Sequence, residues 1–477
     1  MTLLIISPDY ASHLLPLATL GTAWRDAGER VVVATGEATA SIVESFGFER
    51  VHLQLGRGSN PGIIKAEDQP KGEDDALRGF FAATRLGMVQ TLAFQAAARK
   101  NDLLWDPVNT ARAVQRVVDE VKPDRVIVDH LAFSARLALL AHGTPYADVV
   151  LGHPSALPVA GEVYGYPPAW PAAFDPDDAA LAALRALCDD VSASFTAEWN
   201  AALDGLGASH LRSESAFAEH GDVLLYNYPA ELHEPARTAL LPPHEFIGSA
   251  VRSEPADAQV DAWLASSDEP FVYVSFGSFL SVRDDVLARV LATLAGLGMR
   301  AAVAIGSADR AELGDLPAEW LVREFLPQVQ LLSTATAAVT HGGNNSVTEA
   351  MTHGVPLLVL PFSTDQFAGA AALERTGFGV SLAPNTATVE QLSAGIERVL
   401  ALPRAGLDAL SASLLETPGR ERARWSLENR ASDLATPAPT GPTPPAGKPA
   451  KEGLPLTRAG FGGMSSRRSS HFAGSGS

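Results

Sequence analysis

The chain has 477 residues, 46% of them hydrophobic and 19% charged, with a formal net charge of −19 and a single cysteine, Cys188. That length calls for two domains of roughly 200 residues each rather than one core. The acidic balance excludes a polyanion such as nucleic acid as the main partner. The lone cysteine excludes a disulfide framework or a cysteine-held zinc, and it fits a cytoplasmic protein.

In chain order, Leu3 to Ile6 is an apolar run stopped by Ser7 and Pro8. It has no basic region before it and is too short for a secretory signal. No later segment approaches the ~18 uninterrupted apolar residues of a membrane span. The run reads as a first buried strand, followed by helical text near Pro16 to Ala27. Further strands are expected at Arg30 to Ala34, Asp124 to Val128 and Val223 to Tyr226, the last closing the first half. Residues 241–262 are rich in Pro, Ala and acidic side chains and read as a linker. A second series follows at Phe271 to Val274, Arg300 to Ile305, Ala337 to Thr340 and Val355 to Leu360. Short apolar runs alternating with helical text predict parallel βαβ units covered on both faces. The expected fold class is therefore α/β, with two doubly wound Rossmann-like domains, 1–240 and 263–414, facing each other across a cleft. A helix at 415–430 is expected to pack back on the first domain. Residues 435–477, dominated by Pro, Ala, Gly, Thr and Ser, read as a disordered tail.

The most informative stretch is strand Ala337 to Thr340, then His341-Gly342-Gly343-Asn344-Asn345-Ser346, then helical Val347 to His353 with Gly354 and Pro356 as its stop. A strand, a glycine turn and a helix start bring free N–H groups and a positive dipole end to one point, which suits an anion. His341 and Ser346 add donors, and the carboxylate of Glu349, about one turn on, can accept ribose hydroxyls. A tight structural turn with a solvated Glu349 would account for the bare junction equally well. Asn344-Asn345-Ser346 also spells a glycosylation sequon, which has no meaning without a secretory signal.

Phe325-Leu326-Pro327-Gln328, His341 to Ser346, Glu349-Ala350, Gly354-Val355-Pro356, Pro361 and Asp365-Gln366 together resemble the donor-binding signature of the family 1 UDP-sugar glycosyltransferases, whose fold is GT-B. The resemblance implies that His341, Gly343, Asn345 and Ser346 hold a diphosphate and Glu349 the ribose. It further implies that Asp365 and Gln366 meet the transferred sugar, and that Gln328 contacts the base with Phe325 stacked beneath it. Phe325 and Asn344 stand where plant members carry Trp, and Gly369 where they carry Asn, so the donor sugar is left open between glucose and deoxysugars. Ser363 to Gln366 also spells a capping box, a competing account of Gln366. Ser278, in the Ser275-Phe276-Gly277-Ser278 junction, is a secondary donor-side candidate, and an ordinary turn explains it as well.

His13 follows the first strand in Ser12-His13-Leu14-Leu15-Pro16, where loops of open sheets meet ligand. A histidine suits removal of a proton from a hydroxyl near neutral pH, and its His-x-x-Pro setting resembles the catalytic base of that family. Asp129 ends its strand where the family has a carboxylate behind the base, and it would fix the tautomer and steady the imidazolium. His130 is a neighbouring confounder. The Gly-, Pro- and Tyr-rich stretch Gly161 to Trp170 reads as a loop beside an apolar acceptor pocket.

These readings converge on inverting transfer of a hexose from a nucleotide diphosphate sugar, a UDP-sugar favoured, to a hydroxyl of a small apolar natural-product-like acceptor. No cofactor is expected, and no metal, since no Asp-x-Asp or ligand cluster lies near the phosphate segment. A sugar-nucleotide epimerase or a donor-binding auxiliary protein of the same fold is the alternative. A nicotinamide oxidoreductase is disfavoured because Ser7 to Ala11 lacks Gly-x-Gly-x-x-Gly.

Overall fold

The computed structural model describes residues 1–62, 73–100, 103–280 and 282–435. Met1–Ala431 form one compact unit. The expected tail lies outside the described residues from position 436 onward.

The first half is a seven-stranded sheet in the order β3-β2-β1-β4-β5-β6-β7. Its strands are β1 (Thr2–Ile6), β2 (Arg30–Thr35), β3 (Glu49–His52), β4 (Arg125–Asp129), β5 (Ala147–Val150), β6 (Val223–Tyr226) and β7 (His244–Phe246). The second half is a six-stranded sheet ordered β10-β9-β8-β11-β12-β13. It comprises β8 (Phe271–Ser275), β9 (Arg300–Ala304), β10 (Leu321–Arg323), β11 (Ala337–Thr340), β12 (Leu357–Val359) and β13 (Gly379–Ser381). All pairings are parallel. Central strands such as β1 are buried on both faces, which explains their unbroken Leu/Ile/Val text. Helix α1 (Ala11–Asp26) lies so close to the sheet that a Cβ at Gly21 would come within 2.8 Å of the Ile5 side chain.

The expected linker needs correction. His244 to Phe246, placed in 241–262 by composition, form the edge strand β7 and pair with β6. Val223 to Tyr226 is therefore not the last strand of the first half. A three-residue edge strand of mixed polarity carries no apolar run by which to be recognised.

Five further helices bear on the site or its support: α2 (Met88–Arg99), α3 (Gln328–Leu332), α4 (Asn344–Thr352), α5 (Gln366–Thr376) and α6 (Gly419–Ala435). Helix α6 returns to the first half, as expected of the chain end. Ala423 and Leu427 join the cluster around Leu3, Ile5, Leu17 and Leu20, and Arg420 and Arg424 reach Asp26 at 2.9 Å and Glu29 at 3.0 Å. Trp425 is 63% exposed, so Ala423 and Leu427, not the aromatic, make that contact.

Candidate active site

Both sheets change direction in their middle, and there the loops leaving two neighbouring strands diverge and open a crevice. In the first sheet this point lies between β1 and β4, where Ile6 pairs with Val128. His13, in the first turn of α1, and Asp129, the last residue of β4, are therefore delivered side by side. Asp129 is buried, its Oδ2 lies 2.7 Å from His13 Nδ1, and its Oδ1 accepts the Leu131 N–H at 2.8 Å. This bidentate tether fixes the carboxylate and leaves His13 Nε2 for the cleft. Burial depresses the His13 pKa, but the charge and hydrogen bond of Asp129, helped by the charge of Asp365, outweigh it and raise the value above 6.5.

In the second sheet the crevice lies between β8 and β11, where Ser275 pairs with Thr340. Here stands the His341 ring, packed between two glycines. A Cβ at Gly277 would come within 2.9 Å of its Cε1, and one at Gly343 would overlap its Nε2. Gly277 also has φ of +69°, a region that other residues adopt only with strain. Burial pushes the His341 pKa down to about 4, against a bond to the Ser275 backbone that favours the proton. Helix α4 then starts at Gly343 with no side-chain cap, so its first-turn N–H groups present the positive dipole end to the cleft.

Glu349, on α4, is 2% exposed. Its Oε2 accepts from Gln328 Nε2 at 2.5 Å, and its Oε1 is paired with Arg252. Arg252 also binds Glu254 at 2.7 Å. Burial raises the Glu349 pKa, while Arg252 and Gln328 oppose the rise. Ser346 Oγ donates to Gln328 Oε1 at 3.3 Å, and Phe325 lies 60% exposed on the cleft wall.

Asp365 faces the first half. Its Oδ2 accepts the His153 N–H at 2.7 Å and its Oδ1 the Thr364 hydroxyl at 2.9 Å. Thr364 is held at φ +50°, a strained conformation for a β-branched residue. A Cβ at Gly152 would stand 2.5 Å from Asp365 Oδ2, so only glycine leaves room for that carboxylate.

One cavity of about 590 Å³ is lined by His13, Arg252, Phe325, Gln328, His341, Gly343, Asn345, Ser346 and Asp365 together. Three expectations change on contact with the structure. Glu349 does not line the cavity, and its two carboxylate oxygens are taken by Gln328 and Arg252. Gln366 does not line the cavity: it is buried, and its Oε1 accepts from the backbone N–H groups of Phe362 and Ser363 at 2.9 and 3.1 Å. It braces the loop that presents Asp365, and of the competing capping box only the Gln366 bond to the Ser363 N–H is formed, Ser363 Oγ instead accepting from Gln366 Nε2 at 3.2 Å. Asn345 lines the cavity, but its side chain reaches across to the Ser12 carbonyl at 3.1 Å. The side chain of Ser278 lies outside the described residues.

Sequence reasoning missed Arg252 and the role of Asn344. Arg252 sits in text with no periodicity, and only a buried acid elsewhere could have hinted at it. Asn344 Nδ2 donates to the carbonyls of Leu151 and Asn227, both at 2.8 Å, tying the start of α4 to the ends of β5 and β6.

The fold and the cleft define a two-domain α/β protein of the GT-B class. Residues 195–411 match the model of the UDP-glucoronosyl and UDP-glucosyl transferase family. That stretch is a little under half of the chain, and over it the chain is similar to this family. It is 29% identical over 297 residues to a PGL/p-HBAD biosynthesis glycosyltransferase of Mycobacterium tuberculosis, covering 60% of this chain and 65% of that one. The match thus spans a little under two thirds of that relative's length. It is 35% identical over 148 residues to the L-demethylnoviosyl transferase of Streptomyces niveus, covering 30% of this chain and 39% of that one. Among solved structures, the calicheamicin glycosyltransferase CalG4 superposes with a TM-score of 0.62 at 19% identity, covering 91% of this chain and 99% of that one. The glycosyltransferase VinC in complex with DTDP gives 0.62 at 18% identity, covering 91% and 100%. At these identities the structural likeness speaks for the fold.

Proposed function

We propose that this protein is an inverting glycosyltransferase that moves a hexose from a nucleotide diphosphate sugar to a hydroxyl of a small, largely apolar acceptor. The observation that carries the reading is a single cavity lined by His13, which Asp129 backs from the core, and by the uncapped start of α4. One supplies a base and the other a seat for an anion, as displacement at a sugar carbon requires.

His13 Nε2 takes the acceptor proton as the hydroxyl oxygen attacks the anomeric carbon. The carbon–oxygen bond to the diphosphate breaks on the opposite face, which inverts the configuration. Asp129 steadies the imidazolium that forms. The leaving diphosphate is received by the N–H groups of Gly343 to Ser346, with His341 beside it, so the fixed dipole supplies charge stabilisation and we propose no metal. Glu349, paired with Arg252, takes the ribose, and Phe325 offers its open face to the base, which Gln328 contacts. Asp365 meets the sugar hydroxyls, while Gln366 acts through the loop it braces. We favour a UDP-sugar donor on the motif. The DTDP bound to VinC makes a dTDP-sugar the variant to test beside it. The lone buried Cys188 fits a cytoplasmic enzyme.

The test is to incubate the protein with UDP-glucose and dTDP-glucose against phenol, steroid and macrolide acceptors. Mass spectrometry identifies any glycoside, and NMR its anomeric configuration. Retention at the anomeric carbon would overturn the mechanism. A second sugar nucleotide appearing from UDP-glucose alone would establish the epimerase instead.

A further inference from the structure

We propose that the acceptor lobe of the cleft takes a hydroxylated aromatic molecule that ends in a carboxylate, and that Arg99 receives that carboxylate. The inference rests on the transfer reading only for the hydroxyl that meets His13.

Arg99 ends α2 and lines the same cavity as His13. Among the described residues, no carboxylate lies within ion-pair distance of its guanidinium, and no acceptor takes its N–H groups. Its basic neighbours differ: Lys100 is paired with Asp190, and Arg185 lies 3.7 Å from Asp189. A cation at a helix C-terminus is favourable in itself, but that does not explain where this one is held. The guanidinium carbon lies 5.1 Å from the centroid of the Tyr164 ring. That ring is immobilised in turn. It stacks on Phe217 at 4.1 Å and 10°, and Phe217 stacks on Phe195 at 4.2 Å.

The next residue, Gly165, has φ of +87°, and a Cβ there would come within 3.3 Å of Arg99 Nη1. The loop thus brings Tyr164 under the cation without a side chain crowding its donors. A guanidinium held over a ring offers its planar N–H fork for bidentate pairing with a planar anion, which a point charge such as Lys does less well. Leu92, Tyr164 and Tyr166 supply the apolar and aromatic wall between. In a chain of net charge −19, an acidic acceptor needs a local cation to offset the general repulsion, and Arg99 supplies one.

The experiment is equilibrium binding, without donor, of three acid–ester pairs to the full chain: 4-hydroxybenzoate, 4-hydroxycinnamate and 6-hydroxy-2-naphthoate, each with its methyl ester. At least one acid should bind the native protein about ten- to a hundredfold tighter than its ester, as one charge-assisted pair implies. Arg99→Gln should abolish the preference while leaving ester affinity and melting temperature unchanged. Arg99→Lys should keep part of it. Equal affinities of acid and ester for the native protein, or a preference that survives in Arg99→Gln, would overturn the proposal. Because no donor is present, acids bound through Arg99 without any glycoside formed in later turnover assays would count against the transfer reading alone.

Discussion

Replacing Arg252 with Met tests the electrostatic logic of the donor half. Glu349 is almost fully buried and has two partners, Arg252 and Gln328. Removing the arginine leaves an ionised carboxylate with one neutral donor, and breaking a buried pair in this way costs about 3–5 kcal/mol. The carboxyl escapes part of that cost by holding its proton, since burial already raises its pKa above 4.5 with Arg252 in place. The sign follows. In the variant the folded form keeps its proton to a higher pH, whereas the unfolded chain releases it near the usual value. The deficit relative to wild type is therefore small at pH 4 and grows as pH rises through the neutral range. At about 2–4 °C per kcal/mol for a unit of 150–250 residues, the full loss corresponds to roughly 10 °C in melting temperature. Thermal melts from pH 5 to pH 8, with UDP titrations alongside, measure both effects. Adding Glu349→Gln to the variant should recover the part of the loss that comes from Glu349, with Glu254 still lacking its partner, and should not restore nucleotide affinity. A deficit that is constant across pH, or a variant melting within 2 °C of wild type at pH 8, would refute the reasoning.

His13→Ala should lower turnover by about 10²–10⁴ with nucleotide affinity nearly unchanged, measured by initial rates and calorimetry. Asp129→Asn should move the acid limb of the rate profile to lower pH, because the base acts when neutral and Asp129 is what raises its pKa. His341, held neutral down to about pH 4, should gain a proton when a diphosphate binds between that pH and its ordinary 6.5. Calorimetry in buffers of different ionisation enthalpy reads that uptake, and binding enthalpies independent of buffer would exclude it. On α6, Leu427→Ala should cost about 2–4 kcal/mol in stability and Trp425→Ala under about 0.5, since only the former is buried.

Strands buried on both faces were legible because nothing interrupts their apolar text, as in β1, β8 and β11. The short strands were not. The three residues of β7 give no period, and β5 carries Asp148 into the core, where Arg136 holds it at 3.0 Å with both side chains buried. A sequence shows the acid but not its partner. The site divides in the same way. His13, Asp129, His341 and Glu349 follow strand ends or helix starts, which can be read from the sequence, but the roles given to them came from the family resemblance. Gln366 failed because a side-chain amide serves a sugar hydroxyl and a loop N–H equally well, and only coordinates tell which lies nearer. Arg252 could not be read at all, because its meaning comes from Glu349, 97 residues further along the chain.

Asp365 carries a consequence for choice among sugars. Each of its oxygens already accepts one bond within the protein, from the His153 N–H and the Thr364 hydroxyl. A sugar hydroxyl adds to these on a remaining lone pair, and a sugar lacking that hydroxyl leaves neither oxygen without a partner. Large penalties against deoxygenated substrates arise where the protein's own polar group is stranded by the missing partner. Here the protein supplies a substitute from within, so a hexose and its deoxy counterpart should differ in kcat/KM by no more than about tenfold. A gap of several thousandfold between them would show that the carboxylate releases its internal partners before the sugar arrives.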